Sequence, residues 1–249
     1  MVRLSLLALL ALAALPRTVT AQALERTYRQ GLEAYERGQW ELSIQEFEAI
    51  LKTGYRSHAL YYNLGNAYYR AKDVAGAVWA YELALKLRPR DADSRYNLAL
   101  GGLRVIDRLA EPELPFYVGF YRSLRGSLTP RQWVQRISWL LLASAFLFTA
   151  GQQLEWRRSR GLAGLGMGLA LLLSLLAADS IYTASTTREG IIYSDPSVAY
   201  SAPSVRSTAL FELHAGAKVA ITGAGNRWLQ VELLDGKSGW IPEGQLRPL

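Results

Sequence analysis

The sequence predicts a multidomain chain in three parts: all-α helical hairpins, a two-helix transmembrane hairpin and a small C-terminal all-β barrel. Three observations carry this. Leu24–Ser57 and His58–Asp91 are in register at 34 residues, a helical-hairpin repeat length. Two apolar runs, Trp133–Gln153 and Gly161–Ala178, approach the ~18–20 residues a membrane span needs. Beyond Thr187 the pattern shortens to alternating runs parted by turn residues, as small barrels require.

Met-Val-Arg precedes an apolar run, Leu4–Leu15, that is too short to span a bilayer, and Pro16 breaks it. With Val19-Thr20-Ala21 or Ala21-Gln22-Ala23 as a small-residue cleavage site, residues 1–23 read as a signal peptide. The helical-hairpin domain is expected over 24–110, with repeats 24–57 and 58–91 and a partial third copy over 92–108. Gly31 corresponds to Gly65, Phe47 to Tyr81 and Ser43 to Ala77, with Gly38-Gln39-Trp40 turning the first hairpin. The small residues Gly31, Gly65, Ser43 and Ala77 are expected to let the two helices of a hairpin approach. The large ones, Trp40, Phe47, Tyr68 and Tyr81, are expected to fill the space between successive hairpins.

Residues 111–129 change character. Two prolines end the helical pattern, and Phe116, Tyr117, Phe120 and Tyr121 gather ahead of Arg122 and Arg125. Such a segment suits a headgroup layer, with rings at the boundary and charges toward phosphates. The other reading is a capping helix that buries those rings on the last repeat. Thr129-Pro130 is a helix start, a capping hydroxyl before a first-turn proline. The spans are placed at 130–153 and 161–179, with residues 154–160 as a short cytoplasmic loop. Gly164 and Gly168 form a small-xxx-small face that Ala143-Ser144-Ala145 could oppose, more readily within the hairpin than between two copies. In 187–249, Lys218–Thr222 and Trp228–Leu233 read as strands, with turns at Ser201-Ala202-Pro203, Ala224-Gly225-Asn226 and Asp235-Gly236-Lys237.

Charge narrows the function classes. The chain carries +7, but residues 22–103 hold 11 basic and 10 acidic side chains, and residues 187–249 hold 6 and 6. The excess lies in 104–186, with 9 and 5, beside the apolar runs, so no nucleic-acid partner is expected. With no cysteine, disulfides and thiol chemistry are excluded. No nucleophile elbow, phosphate loop or zinc helix is present, and neither His58 nor His214 is expected to be a ligand or base. No cofactor or metal is expected, and the chain is read as non-enzymatic.

Topology follows from the leader. A signal peptide places both terminal domains outside and keeps Arg157, Arg158 and Arg160 on the cytoplasmic side, as the positive-inside bias prefers. Arg122, Arg125, Arg131 and Arg136 then lie outside, against the same bias, so the inverted arrangement stays open.

Family resemblances sharpen the reading. His58–Asp91, with Leu64, Gly65, Tyr68, Ala77, Tyr81, Ala84 and Pro89 in place, resembles a tetratricopeptide repeat (TPR); Leu24–Ser57 is a weaker copy. Leu213-His214-Ala215-Gly216, the stretch Gly225–Val231, and Asp235–Pro242 (DGKSGWIP) resemble a bacterial SH3 (SH3b) domain. The lead-in Ala199-Tyr200-Ser201-Ala202-Pro203 departs from that family's V-x-V-R-S-G-P. The order of signal peptide, TPR, membrane hairpin and SH3b is similar to BatE-like proteins of the bacterial aerotolerance (Bat) operon.

That resemblance implies an inner-membrane protein with periplasmic TPR and SH3b domains that acts in protein–protein assembly. The partners implied are von Willebrand-type, membrane-anchored Bat proteins and a MoxR-type ATPase system. TPR positions carried onto this chain put Tyr28, Leu32, Tyr35, Tyr62, Asn66, Tyr69, Arg70, Tyr96 and Leu100 on a concave peptide-binding face. Asn63 is expected to be structural. On the SH3b domain, Tyr193, Tyr200 and Trp240 are the first candidate surface, with Trp228 and Trp240 expected mainly in the core. The alternative function is an envelope sensor whose SH3b domain binds peptidoglycan or a cell-wall peptide.

Overall fold

The computed structural model describes residues 21–107, 115–154 and 157–249. Most of the expected signal peptide, residues 1–20, and the 108–114 stretch lie outside the described residues. The chain divides into two compact units, one of residues up to Ala84 with Asp93–Val105, the other of Leu85–Ala92 with Ile106–Leu249.

The first unit is helical. Its elements are α1 (21–36), α2 (Trp40–Lys52), α3 (His58–Arg70), α4 (Val74–Leu87) and α5 (Ala92–Gly102). Turn chemistry sets their limits. Gly38 takes a left-handed φ of 73° between α1 and α2, a conformation that costs glycine little. The Ser57 hydroxyl accepts from the Leu60 amide and caps α3, and the Asp73 carboxylate accepts from the Gly76 amide at 2.8 Å to start α4.

Close approach within each hairpin depends on Gly31 and Gly65. A Cβ at Gly31 would lie 2.6 Å from the Phe47 ring, and one at Gly65 would lie 2.6 Å from the Tyr81 ring. Phe47 and Tyr81 therefore pack across the glycine of their own hairpin rather than between successive hairpins. The ring fills the space a missing side chain leaves. Tyr68 does reach back between hairpins, donating to Glu48 Oε1 at 2.5 Å. Ser43 adds a buried bond that Ala77 cannot, donating to the Gly31 carbonyl at 2.8 Å.

In the second unit, α6 (Phe116–Gly126) precedes a long antiparallel pair, α7 (Pro130–Gln153) and α8 (Arg157–Thr186). Thr129 and Gln132 form a reciprocal capping box, with Pro130 in the first turn. The expected loop 154–160 is shorter, because α8 already starts at Arg157, and α8 runs on past Asp179. The inward seam is heptad-spaced. Trp133, Ile137, Leu140 and Ser144 on α7 face Ala163, Gly166, Ala170, Leu173 and Ala177 on α8. The pairing expected of Gly164 and Gly168 is not the one observed. Both have open space where a Cβ would go, whereas a Cβ at Gly166 would meet Ser144. Gly166 falls on the 3–4 spacing of the seam; Gly164 and Gly168 do not.

The C-terminal part is a seven-stranded antiparallel sheet of β1 (Glu189–Ile192), β2 (Ser197–Tyr200), β3 (Ala209–Leu213), β4 (Lys218–Gly225), β5 (Trp228–Glu232), β6 (Ser238–Pro242) and β7 (Leu246–Pro248). The strand order is β3-β2-β6-β5-β4-β1-β7. Asn226 and Arg227 turn the β4–β5 hairpin with φ of 48° and 67°, the two-residue turn whose twist suits a hairpin. The core is Ile192, Ala199, Leu213, Val219, Val231, Leu233, Ile241 and Leu246.

Candidate functional site

The first unit presents a cavity of about 320 Å³ lined by Tyr35, Tyr62, Asn66, Tyr69, Arg70, Tyr81, Asn97 and Leu100. Six of the nine residues expected on the peptide-binding face are brought together there. The other three are not. Tyr28 lines a separate cavity with Tyr55 and Ile50, Leu32 lines neither, and Tyr96 stands 66% exposed away from the groove.

The groove is built from side-chain pairs that repeat with the chain. Asn63 Nδ2 donates to the Tyr28 hydroxyl at 2.6 Å, and 34 residues on Asn97 Nδ2 meets the Tyr62 hydroxyl at 3.4 Å. Arg70 Nε reaches the Tyr35 hydroxyl at 3.5 Å; one repeat later the Arg104 guanidinium lies 4.3 Å from the Tyr69 ring centre. The first three contacts join the first helix of one hairpin to the first helix of the next; Arg104 reaches Tyr69 from the turn after α5. Tyr35, Tyr62 and Tyr69 thus serve packing and lining together: one face of the ring or its hydroxyl holds the neighbouring repeat, and the rest borders the groove, whereas Tyr28 makes the same kind of contact away from it.

Asn66 is the hub. Its Oδ1 accepts from the Tyr81 hydroxyl at 2.7 Å and from Asn97 Nδ2 at 3.0 Å. Both bonds fall on the carbonyl end, which orients the amide group and turns its donor end elsewhere. Burial pushes the Tyr81 hydroxyl well above its ordinary pKa, with Tyr62 adding to the effect, so it stays protonated and donates. The groove therefore offers aromatic walls, an oriented amide and the exposed Arg70 guanidinium, a set suited to an extended peptide.

Tyr81 and Asn97 were missed by sequence reasoning. Tyr81 belongs to a second helix, where a ring reads as packing; the signal was Gly65, which lets that ring cross to Asn66. Asn97 is the repeat equivalent of Asn63 and was legible from register alone.

On the sheet, Tyr200 pairs with Trp240 across β2 and β6, and its ring meets Trp228 edge-on at 5.8 Å. Trp228 and Trp240 are both half-buried and stand outside the buried core, contrary to expectation. The core positions of β5 and β6 are instead Val231 and Ile241, one residue away from Trp240 and so on the other face of the strand. Tyr193 stands apart, past β1, with Arg247 over its ring at 5.9 Å. His214 bonds Asp107 through both its backbone amide and Nδ1, and His58 bonds Ser94 and stacks on Tyr62.

On α6 no residue is buried, and Phe116 is 86% exposed. The helix is tied to α8. Tyr121 donates to Asp179 Oδ2 at 2.8 Å, and Arg125 reaches Asp179 Oδ2 at 3.2 Å and Thr183 Oγ1 at 3.1 Å. Helices α7 and α8 are long and apolar enough to cross a membrane, and only 17% of each apolar window is buried within the protein.

No curated protein matches the chain. Residues 28–92 match the tetratricopeptide-repeat family, and residues 199–246 match the bacterial SH3 domain family. The chain carries a TPR region and a bacterial SH3 domain, separated in sequence by a pair of long apolar helices.

Proposed function

We propose that this protein is a non-enzymatic, membrane-anchored assembly factor of the bacterial envelope, whose TPR groove recruits a partner through an extended peptide segment. The observation that carries this is the groove itself, where Tyr35, Tyr62 and Tyr69 wall a cavity floored by an oriented Asn66 amide and flanked by Arg70. TPR regions serve protein–protein contact, and the SH3 domain adds a second binding module. The α7–α8 hairpin crosses the inner membrane in this reading, which accounts for the outward-facing Trp139, Phe146, Leu165 and Leu171. Helix α6 lies in the headgroup layer beside it, with its exposed rings at the boundary. Both modules are placed in the periplasm. The partner class is a membrane-anchored envelope protein, of the von Willebrand-type Bat kind with its MoxR-type ATPase by resemblance, in an aerotolerance or stress setting.

Co-purification from native membranes tests this. Asn66 also holds Tyr81, so its loss would mix folding with binding. Tyr69→Ala with Arg70→Ala removes one wall and leaves that hub intact; because the pair also removes the Arg70–Tyr35 and Tyr69–Arg104 contacts, hydrogen exchange of α3 and α4 reads its folding separately from binding. The pair is expected to lose the co-purifying partner while the protein still inserts in the membrane. Unchanged co-purification contradicts the groove.

A second reading rests on the Tyr200–Trp228–Trp240 cluster, half-exposed aromatic area on the SH3 domain. In that reading the domain binds a cell-wall peptide and the chain is an envelope sensor. Sedimentation of the full-length protein with purified peptidoglycan, lost on Trp228→Ala, supports it; absence of sedimentation removes it.

A further inference from the structure

The start of the long hairpin holds a polar pocket that the groove and the sheet leave without a use. Arg88, Arg90 and Asp91, from the turn after α4, come together with Ser127, Gln132 and Arg136 around a cavity of about 340 Å³. All lie in the second compact unit. Three guanidinium groups stand against one carboxylate, so the lining is cationic. Of the remaining polar groups Gln132 is turned to donate, whereas Ser127 already gives its hydroxyl proton to the Leu124 carbonyl at 2.7 Å. Gln132 Oε1 is occupied by the Thr129 amide at 2.9 Å, which leaves its NH2 end for the pocket. Leu128, in the same lining, is buried and gives the pocket an apolar edge.

Arg136 is the last charged residue of α7, ahead of its uncharged stretch 137–153. Gln132, Arg136, Trp139 and Phe146 recur at helical spacing, so they share one face of α7. Trp139 is 66% exposed and Phe146 is 71% exposed. A cationic pocket thus opens at the head of an uncovered apolar stripe. An inorganic anion would use only the first of these; a molecule with a phosphate head and hydrocarbon chains would use both.

We infer that this pocket holds the phosphate of an anionic phospholipid, with the acyl chains lying along Trp139 and Phe146. The inference rests on the membrane reading of the α7–α8 hairpin. It also accounts for one of the outward-side arginines, Arg136, which faces the lipid; Arg125 is separately paired with Asp179.

Native mass spectrometry of the full-length protein in neutral detergent provides the experiment. It follows retained short-chain phosphatidylglycerol against phosphatidylcholine, with inorganic phosphate as competitor. The wild type is expected to retain one phosphatidylglycerol with at least tenfold preference. Arg88→Gln with Arg136→Gln should weaken retention about twenty-five-fold, at roughly fivefold per arginine near a membrane surface. Arg122→Gln with Arg131→Gln removes equal charge from exposed sites outside the pocket and should change it less than twofold. Arg136→Gln alone, on an exposed helix position, should weaken retention about fivefold and covers failure of the double variant to fold.

Equal loss in the two pairs, displacement by inorganic phosphate at matched concentration, or no preference over phosphatidylcholine would each overturn the site. Flotation with phosphatidylcholine vesicles separates the two claims. A chain that floats without preference loses only the pocket, and a chain that does not float loses the membrane reading with it.

Discussion

Replacing Gly65 with alanine places a methyl group 2.6 and 2.7 Å from two ring carbons of Tyr81 and 3.1 Å from a third. Ordinary contact begins near 3.4 Å, so the ring has to retreat by most of an ångström. It has little room. Tyr81 is 1% exposed, and its hydroxyl is held by Asn66. Overpacking of this kind costs ~1–3 kcal/mol. Alanine returns about 1 kcal/mol of helix propensity over glycine. Because the ring is pinned at both ends, the upper half of the overpacking range applies, leaving a net loss of about 1–2 kcal/mol. Hydrogen exchange in the full-length protein reads this locally: amides of α3 and α4 should exchange roughly 5- to 30-fold faster. Gly102→Ala is the matched control. It sits in a helix with nothing within reach of its Cβ, and it should be neutral or stabilising. If Gly65→Ala behaves like Gly102→Ala, the ring-over-glycine account of the hairpin is wrong.

Other predictions follow from single contacts. Ser43→Ala should lose about 0.5–1.5 kcal/mol, the worth of its buried bond to the Gly31 carbonyl, in a denaturant titration followed by hydrogen exchange of α1 and α2. Gly166→Leu should force α7 from α8 and lower the melting temperature in detergent, whereas Gly164→Leu and Gly168→Leu should not, since both open to empty space. Asp107 raises the pKa of His214, chiefly through their hydrogen bond, with Asp195 and Glu212 adding to it. The contribution of this pair to stability is therefore full below the ordinary histidine value of about 6.5 and fades as pH rises through the raised one. An NMR titration of the His214 ring should show a midpoint above about 6.5 that falls on Asp107→Asn. A wild-type midpoint at the ordinary value would contradict the contact.

Much of the fold was legible because repetition is a packing statement. Gly31 with Phe47, and Gly65 with Tyr81, recur at one register, and each pair closes one hairpin. The partner of each ring was not legible. Spacing says that a large residue meets a small one but not whether the small one lies in the same hairpin. The same limit applies to the long helices. Gly164 and Gly168 make a visible small-residue motif, yet the inward face is set by the whole 3–4 pattern through Ala163, Gly166, Ala170 and Ala177. On the sheet, alternation was readable, but Trp240, named both as candidate surface and as mainly core, was weighted to the core because a large aromatic reads that way; Ile241 holds that position. In the groove, six first-helix residues were found by position, and Asn97 was within reach of the same register. Tyr81 was not, because its hydroxyl reaches the site only across a glycine.

The central claim is that the Tyr69 side of the TPR groove takes an extended segment of a membrane-anchored envelope protein. A photo-crosslinking amino acid at Tyr69, in the full-length protein in native membranes, tests it most directly, with the same probe at the exposed Tyr96 as control. The account predicts a light-dependent adduct at position 69 alone, mapping to a non-helical segment of such a protein and lost on Arg70→Ala. No adduct at 69, or equal adducts at 69 and 96, would contradict it.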